Sequence, residues 1–181
     1  MLDFVNTVSG RPVYSRDDLA EADDLFDWAL AAGLLSNDDL VKPSGDRSSA
    51  FRSAIVLREN LYLAFTPLDL SEAQRVAALA LVARRAAQAT RSAQWVSNQS
   101  GYQAWWPQDT IESICDRLAD EALRLLRSPL MSRVGSCAGC GWLFLDTSRA
   151  HARRWCSMNA CGVRNKMRRY HQRQARESST A

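Results

Sequence analysis

The chain has 181 residues, 46% hydrophobic and 24% charged, a composition that excludes a disordered or collagen-like polymer and fits one compact domain or one domain with a small appendage. No run approaches the ~18 consecutive apolar residues of a membrane span, and MLDFVNTV lacks a basic segment ahead of an apolar one, so neither a span nor a signal peptide is expected and the cytoplasm is the expected compartment. The net charge of +3 is unevenly spread, +8 from Arg133 to Ala181 and −5 before it, which points to a basic partner-binding segment on a mildly acidic body or to a solvated basic tail.

The body reads as mainly α with a small β-hairpin. Ser15 is expected to cap a first helix with Asp17 and Asp18 in its opening turn, where the helix dipole favours acids. Leu19, Ala22, Phe26, Ala29 and Leu30 recur at helical spacing, and Gly33 supplies a stop. A longer helix is predicted over 48–65, with Phe51, Ile55, Leu57, Leu61 and Phe65 near one stripe and Pro67 ending it. Ser71 and Gln74 form a capping box that opens an alanine-rich helix reaching about Arg91. Two short aromatic runs, Ala93 to Val96 and Tyr102 to Trp106, flank SNQSG and predict a hairpin. Asp109 is then expected to cap a helix with a clean apolar face at Ile111, Ile114, Cys115, Leu118, Ala122, Leu125 and Leu126, ending before Pro129. On that face Cys115 reads as core.

The remaining cysteines fall in two close pairs, Cys137-x2-Cys140 and, fifteen residues on, Cys156-x4-Cys161. Each pair can supply two thiolates from one turn, which is what a closed tetrahedral zinc site requires. A reducing compartment favours metal over disulfides; a chance cluster of buried cysteines is the alternative. Trp142 to Leu145 is strand-like, Asp146-Thr-Ser is turn-like, and Arg153-Arg-Trp is expected to be the return strand of a hairpin. A basic helix follows Cys161, so knuckle, hairpin and helix predict an α+β treble-clef zinc finger over 133–181, behind a body over 1–132. About 45 residues cannot hold themselves together by core burial, so the metal should supply much of the folding free energy.

On that helix Arg164, Arg168 and His171 lie about one turn apart, as do Lys166, Arg169 and Arg173; Arg149, Arg153 and Arg154 add a second basic group. Cations at this density match the phosphates of duplex DNA, and Asn165 with the arginines could read base edges. Trp155 could stack on a base or serve as the finger's own small core.

The stretch CAGCGWLFLDTSRAHARRWCSMNACGVRNKMRR resembles the CGNR zinc finger, with CGVR at Cys161 to Arg164, so Val163 stands where that family has asparagine. LDFVNTV at Leu2 to Val8, Arg11, DLFDWALAAGLL at Asp24 to Leu35 and LREN at Leu57 to Asn60 resemble the ABATE domain that accompanies this finger. The resemblance implies a bacterial stress-induced transcription regulator with a ligand-sensing N-terminal domain and a DNA-binding treble clef. For the ligand, Asn6, Arg11 and Arg58 could converge on an anionic metabolite; alternatively Asn6 caps a turn and Arg58 pairs with nearby acids. Trp95, Tyr102, Trp105 and Trp106 could line a cavity, a core or a dimer interface.

A zinc-stabilised module docking on RNA or an acidic protein is the competing reading, because the fold alone does not choose. No Ser-His-Asp set and no Gly-rich phosphate loop is present, and both histidines lie in the basic tail, so catalysis is not expected. A homodimer reading two half-sites is a further expectation, since one short helix makes few base contacts.

Overall fold

The computed structural model describes residues 1–11, 16–35, 46–106 and 110–178. The expected caps Ser15 and Asp109 lie outside them. A short helix α1 (Leu2–Val5) leads into strand β1 (Val8–Ser9), which pairs antiparallel with β2 (Arg16–Asp17). Asp17 and Asp18 therefore do not open a helix. Helix α2 (Ala22–Ala31) starts later, capped by Glu21 in a reciprocal box with Asp24. The acids that meet the dipole of its first turn are Asp23 and Asp24. Gly33 does end the helix, in the left-handed region at φ +69°.

Three long helices make the body: α3 (Arg47–Phe65, capped by Asp46), α4 (Glu72–Ser92) and α5 (Ile111–Leu126). The Ser71–Gln74 box opens α4 as the sequence predicts. Thr110, in a box with Ser113, caps α5 in place of Asp109. Leu57, Leu61 and Phe65 of α3, Ala78 and Val82 of α4, and Ile114, Cys115 and Leu118 of α5 meet in one core with Phe4, Val5, Leu25 and Phe26. Burial of Cys115 pushes its thiol up to about 12, which leaves it protonated and inert among its neighbours. No described helix is long and apolar enough to cross a membrane.

Between α4 and α5 the chain makes the expected hairpin, β3 (Gln94–Asn98) against β4 (Gly101–Trp105), in the register Gln94–Trp105 to Asn98–Gly101. Its base is pinned by Trp106, whose buried indole Nε1 donates to the Ala89 carbonyl at 3.1 Å, and by Arg117, which donates to the Trp106 carbonyl at 2.7 Å.

After α5 a 3-10 turn (Pro129–Arg133) delivers β5 (Val134–Ser136), paired antiparallel with β6 (Leu143–Leu145). A π-helical turn (Met158–Gly162) then runs into α6 (Val163–Ser178). The finger is not a separate bead: Val134 and Leu143 are buried in the same core as the body helices.

Candidate metal centre and basic face

The metal site begins with a hairpin. Strands β5 and β6 are joined through Cys137–Trp142: the Cys137 amide donates to the Trp142 carbonyl at 2.8 Å and the Gly141 amide to the Cys137 carbonyl at 2.8 Å. The knuckle is thus the turn of this hairpin, and the partner of β6 is β5. The Arg153–Trp155 return strand expected from sequence does not form. That segment is instead held by single bonds: Asp146 accepts the Arg153 amide at 3.0 Å, and the Arg154 carbonyl accepts the Ala138 amide at 3.2 Å. With its amide on a carboxylate, Arg153 cannot extend a ladder. Asp146 also accepts the Ser148 amide at 2.8 Å, and the Ser148 side chain, with the Arg153 and Ser148 amides, holds its carboxyl down at about 2.

This path brings the second pair of cysteines onto the first. The four Sγ atoms of Cys137, Cys140, Cys156 and Cys161 all lie within 4.8 Å of one another, with Cys140–Cys156 at 3.6 Å and Cys156–Cys161 at 3.7 Å. Four thiolates at ~2.3 Å from a tetrahedral zinc would be about 3.8 Å apart, so the set fits one zinc ion closely. All four positions are protein thiols, and the site is closed and structural. Burial raises the Cys137 thiol, but amides of Cys156 and Gly139 outweigh it and bring it to about 7. Cys161 lies buried in the π turn leading into α6, and the exposed Val163 opens that helix. Trp155 packs against the cluster as the finger's small core, one edge still reaching solvent.

The basic residues divide into two groups. Arg154, Asn165, Arg168 and Arg169 line one groove of about 430 Å³ with Ala138, Trp155 and Gln172. Arg149, Arg164, Lys166, His171 and Arg173 are exposed but lie outside it. Arg153 spends its guanidinium inward: it donates to the carbonyls of Trp155 (2.9 Å) and Cys156 and stacks 4.6 Å over Phe144. Gln172 was missed from sequence because its place in the groove depends on the rotation of α6, which only the packed cysteine pairs fix.

Asn6, Arg11 and Arg58 each bind groups of the protein itself. Asn6 donates to the Leu143 carbonyl at 2.8 Å and accepts the Leu143 amide at 2.9 Å, so its side chain stands in for a neighbouring strand along β6. Arg58, 2% exposed, grips Asp17 with two bonds of 2.6 and 2.7 Å and also reaches Thr7 and Glu59. Arg11 makes a forked pair with Glu59 at 2.5 and 2.9 Å and lies 4.2 Å over the Tyr62 ring. The three polar groups are structural ties, two within the body and one from body to finger. The Trp142 indole adds a second tie to the Val8 carbonyl at 3.1 Å.

Residues 1–129 match the family model of ABATE, described as a putative stress-induced transcription regulator. The chain belongs to the ABATE family. Residues 133–174 match the CGNR zinc finger, so the cysteine centre of this ABATE protein is the metal site of that finger despite CGVR in place of CGNR. No match was found among curated proteins.

At Gly141 this ABATE protein has a point where finger and body nearly touch. The residue sits at φ +75°, and a Cβ there would meet the Arg11 carbonyl oxygen at 2.8 Å and the Arg11 Cβ at 2.9 Å. Gly33 has a similar φ of +69° but open space around it. Gly33→Ala should therefore cost about 1 kcal/mol for the backbone alone. Gly141→Ala should cost more, on the order of 3 kcal/mol, because the finger must also back away. Paired thermal melts of the two variants check this difference.

Proposed function

We propose that the protein is a cytoplasmic bacterial transcription regulator, not a catalyst, that binds duplex DNA through its zinc-stabilised C-terminal module. The observation that carries the reading is the groove in which Arg154, Asn165, Arg168 and Arg169 converge beside a helix exposed along its length. Guanidinium groups there can neutralise phosphates, and Asn165 can reach a base edge once the helix is seated. The closed zinc site does no chemistry; it fixes the angle of α6 to the knuckle and so the spacing of the cations.

The test is duplex binding by zinc-loaded protein across a salt series, with Cys137→Ser as control. With five to seven phosphate contacts the log–log slope should be roughly −4 to −6. Arg168→Ala should weaken binding to all sequences and flatten that slope by about one, with zinc content unchanged. Binding that favours RNA over duplex, or ignores the Cys137→Ser change, would transfer the basic face to the competing role of docking on RNA or an acidic protein.

For ligand sensing the best-formed candidate is a cleft of about 910 Å³ between body and finger. Leu19, Trp28 and Leu125 face Trp142, Phe144 and Arg153 across it, and Asn6 reaches its wall. Around this cleft the cations Arg124, Arg153 and the Met1 ammonium balance the acids Asp3, Asp18 and Glu121, so with Leu19, Trp28, Leu125, Trp142 and Phe144 on its walls it suits an apolar neutral ligand. A molecule bound there touches the Arg153 clamp on Cys156, and so connects ligand to finger.

A further inference from the structure

The hairpin of β3 and β4 differs from the rest of the surface. From Gln94 to Trp105 it carries no charged residue, in a chain of which 24% is charged. Three of its large side chains face solvent: Trp95 at 57%, Tyr102 at 76% and Trp105 at 43% exposure. The hairpin is a two-stranded sheet, and among the described residues no third strand pairs with either edge. Soluble proteins guard such edges with charge, proline, a bulge or a covering element. The five residues of β4 contain none of these.

The edge has a definite hydrogen-bonding pattern. The two-residue connection Gln99–Ser100 makes Asn98 and Gly101 the closing bonded pair of the ladder. Alternation then turns the amides and carbonyls of Tyr102 and Ala104 outward, away from β3. Large and small residues also alternate along this edge in a way that complements itself under reversal.

We propose that the outer edge of β4 pairs with the same edge of a second copy of this chain, antiparallel about a two-fold axis at Gln103. In this register Tyr102 and the partner's Ala104 form the outward-facing bonded pair, and the symmetric pair forms across the axis. The Tyr102 ring covers the partner's Ala104, and the Trp105 ring covers the partner's Gly101. Space for that ring exists, since a Cβ at Gly101 would meet nothing within 4 Å. Gln103 faces its own copy: its Oε1 accepts from Asn98 Nδ2 at 3.1 Å within the hairpin, and its Nε2 group is left to donate to the partner's Gln103 oxygen. Pairing through β3 would leave Tyr102 and Trp105 uncovered. A nucleic acid finds no cation on the ribbon, and a charged peptide finds no countercharge. The result is a four-stranded sheet across an isologous interface, which places two basic helices on one particle. This assembly does not depend on the DNA-binding reading.

Sedimentation velocity of the full zinc-loaded chain over a wide concentration range tests it. The unmodified protein should sediment as a dimer that dissociates on dilution. Gln103→Lys and Gln103→Glu each place like charges opposite one another at the axis, and each should be monomeric. Their equimolar mixture should recover the dimer, because Lys then faces Glu; recovery also shows that both variants are folded. Ala104→Pro removes an outward N–H while sparing the hairpin's own ladder, and should give a monomer with an unchanged melt. A protein that is monomeric throughout, charged variants that dimerise as well as the parent, or a mixture that stays monomeric would overturn the proposal.

Discussion

Replacing Cys140 with serine should empty the metal site, unfold the finger and abolish binding to duplex DNA in a single step. Structural zinc in small fingers contributes roughly 10–16 kcal/mol of apparent binding free energy, and almost all of it is folding free energy here. The local alternative is too small: beyond the cysteines, the finger's own cluster holds only Phe144, Trp142 and Trp155. The loss should not stop at the finger, since Val134 and Leu143 belong to the main core and Asn6 loses both its bonds when β6 departs. Zinc content by atomic spectroscopy, far-UV circular dichroism and a melt measure the three effects together. Full zinc occupancy in the variant would remove Cys140 from the ligand set.

Arg58→Met should destabilise the body by about 2–4 kcal/mol. Arg58 is buried, yet its partners Asp17 and Glu59 reach solvent, with side-chain exposures of 43% and 30%. The acids left behind can therefore hydrate, which holds the cost below that of a fully buried orphan charge. The same cluster sets an acid response. Burial pushes Asp17 and Glu59 up, but Arg58 with the Leu19 amide and Arg11 outweighs it for Asp17, and Arg11 with Arg58 for Glu59, so both carboxyls are lowered on folding. Their contribution is complete above the ordinary values of 3.8 and 4.5 and is lost as pH falls below these toward the lowered folded ones. Melts from pH 7 down to 3 should show this acid limb, and Arg58→Met should flatten it. An identical limb in the variant would show that Arg58 is not what lowers the two acids.

What could be read from the sequence was local, and what could not was non-local. Ser71 and Gln74 are three residues apart, and their capping box needs nothing else, so it was legible. The cysteine pairs were legible for the same reason, because each pair shares one turn. Strand β5 was not: three residues, two of them glycine and serine, show no alternation, and only the return through Cys137–Trp142 reveals them as the partner of β6. The Arg153 segment has the residue types of a strand but surrenders its amide to Asp146. The opening of α2 was placed too early because β1 and β2, two residues each, leave no period to detect. Asn6, Arg11 and Arg58 find partners 137, 48 and 41 residues away along the chain, which no local pattern announces. A polar side chain gives no sign in sequence of whether its partner is a ligand or a distant stretch of its own backbone.

The bond between Asn6 and Leu143 also sets a timetable. During synthesis 137 more residues must follow Asn6 before its partner exists. Loop closure over that span is slow compared with the local pairing of α3, α4 and α5, which can fold as they appear. The two bonds of Asn6 to β6 must therefore wait until the finger has been synthesised and folded around its metal. Zinc supply, on this schedule, governs the last closing step of the whole molecule and not the finger alone.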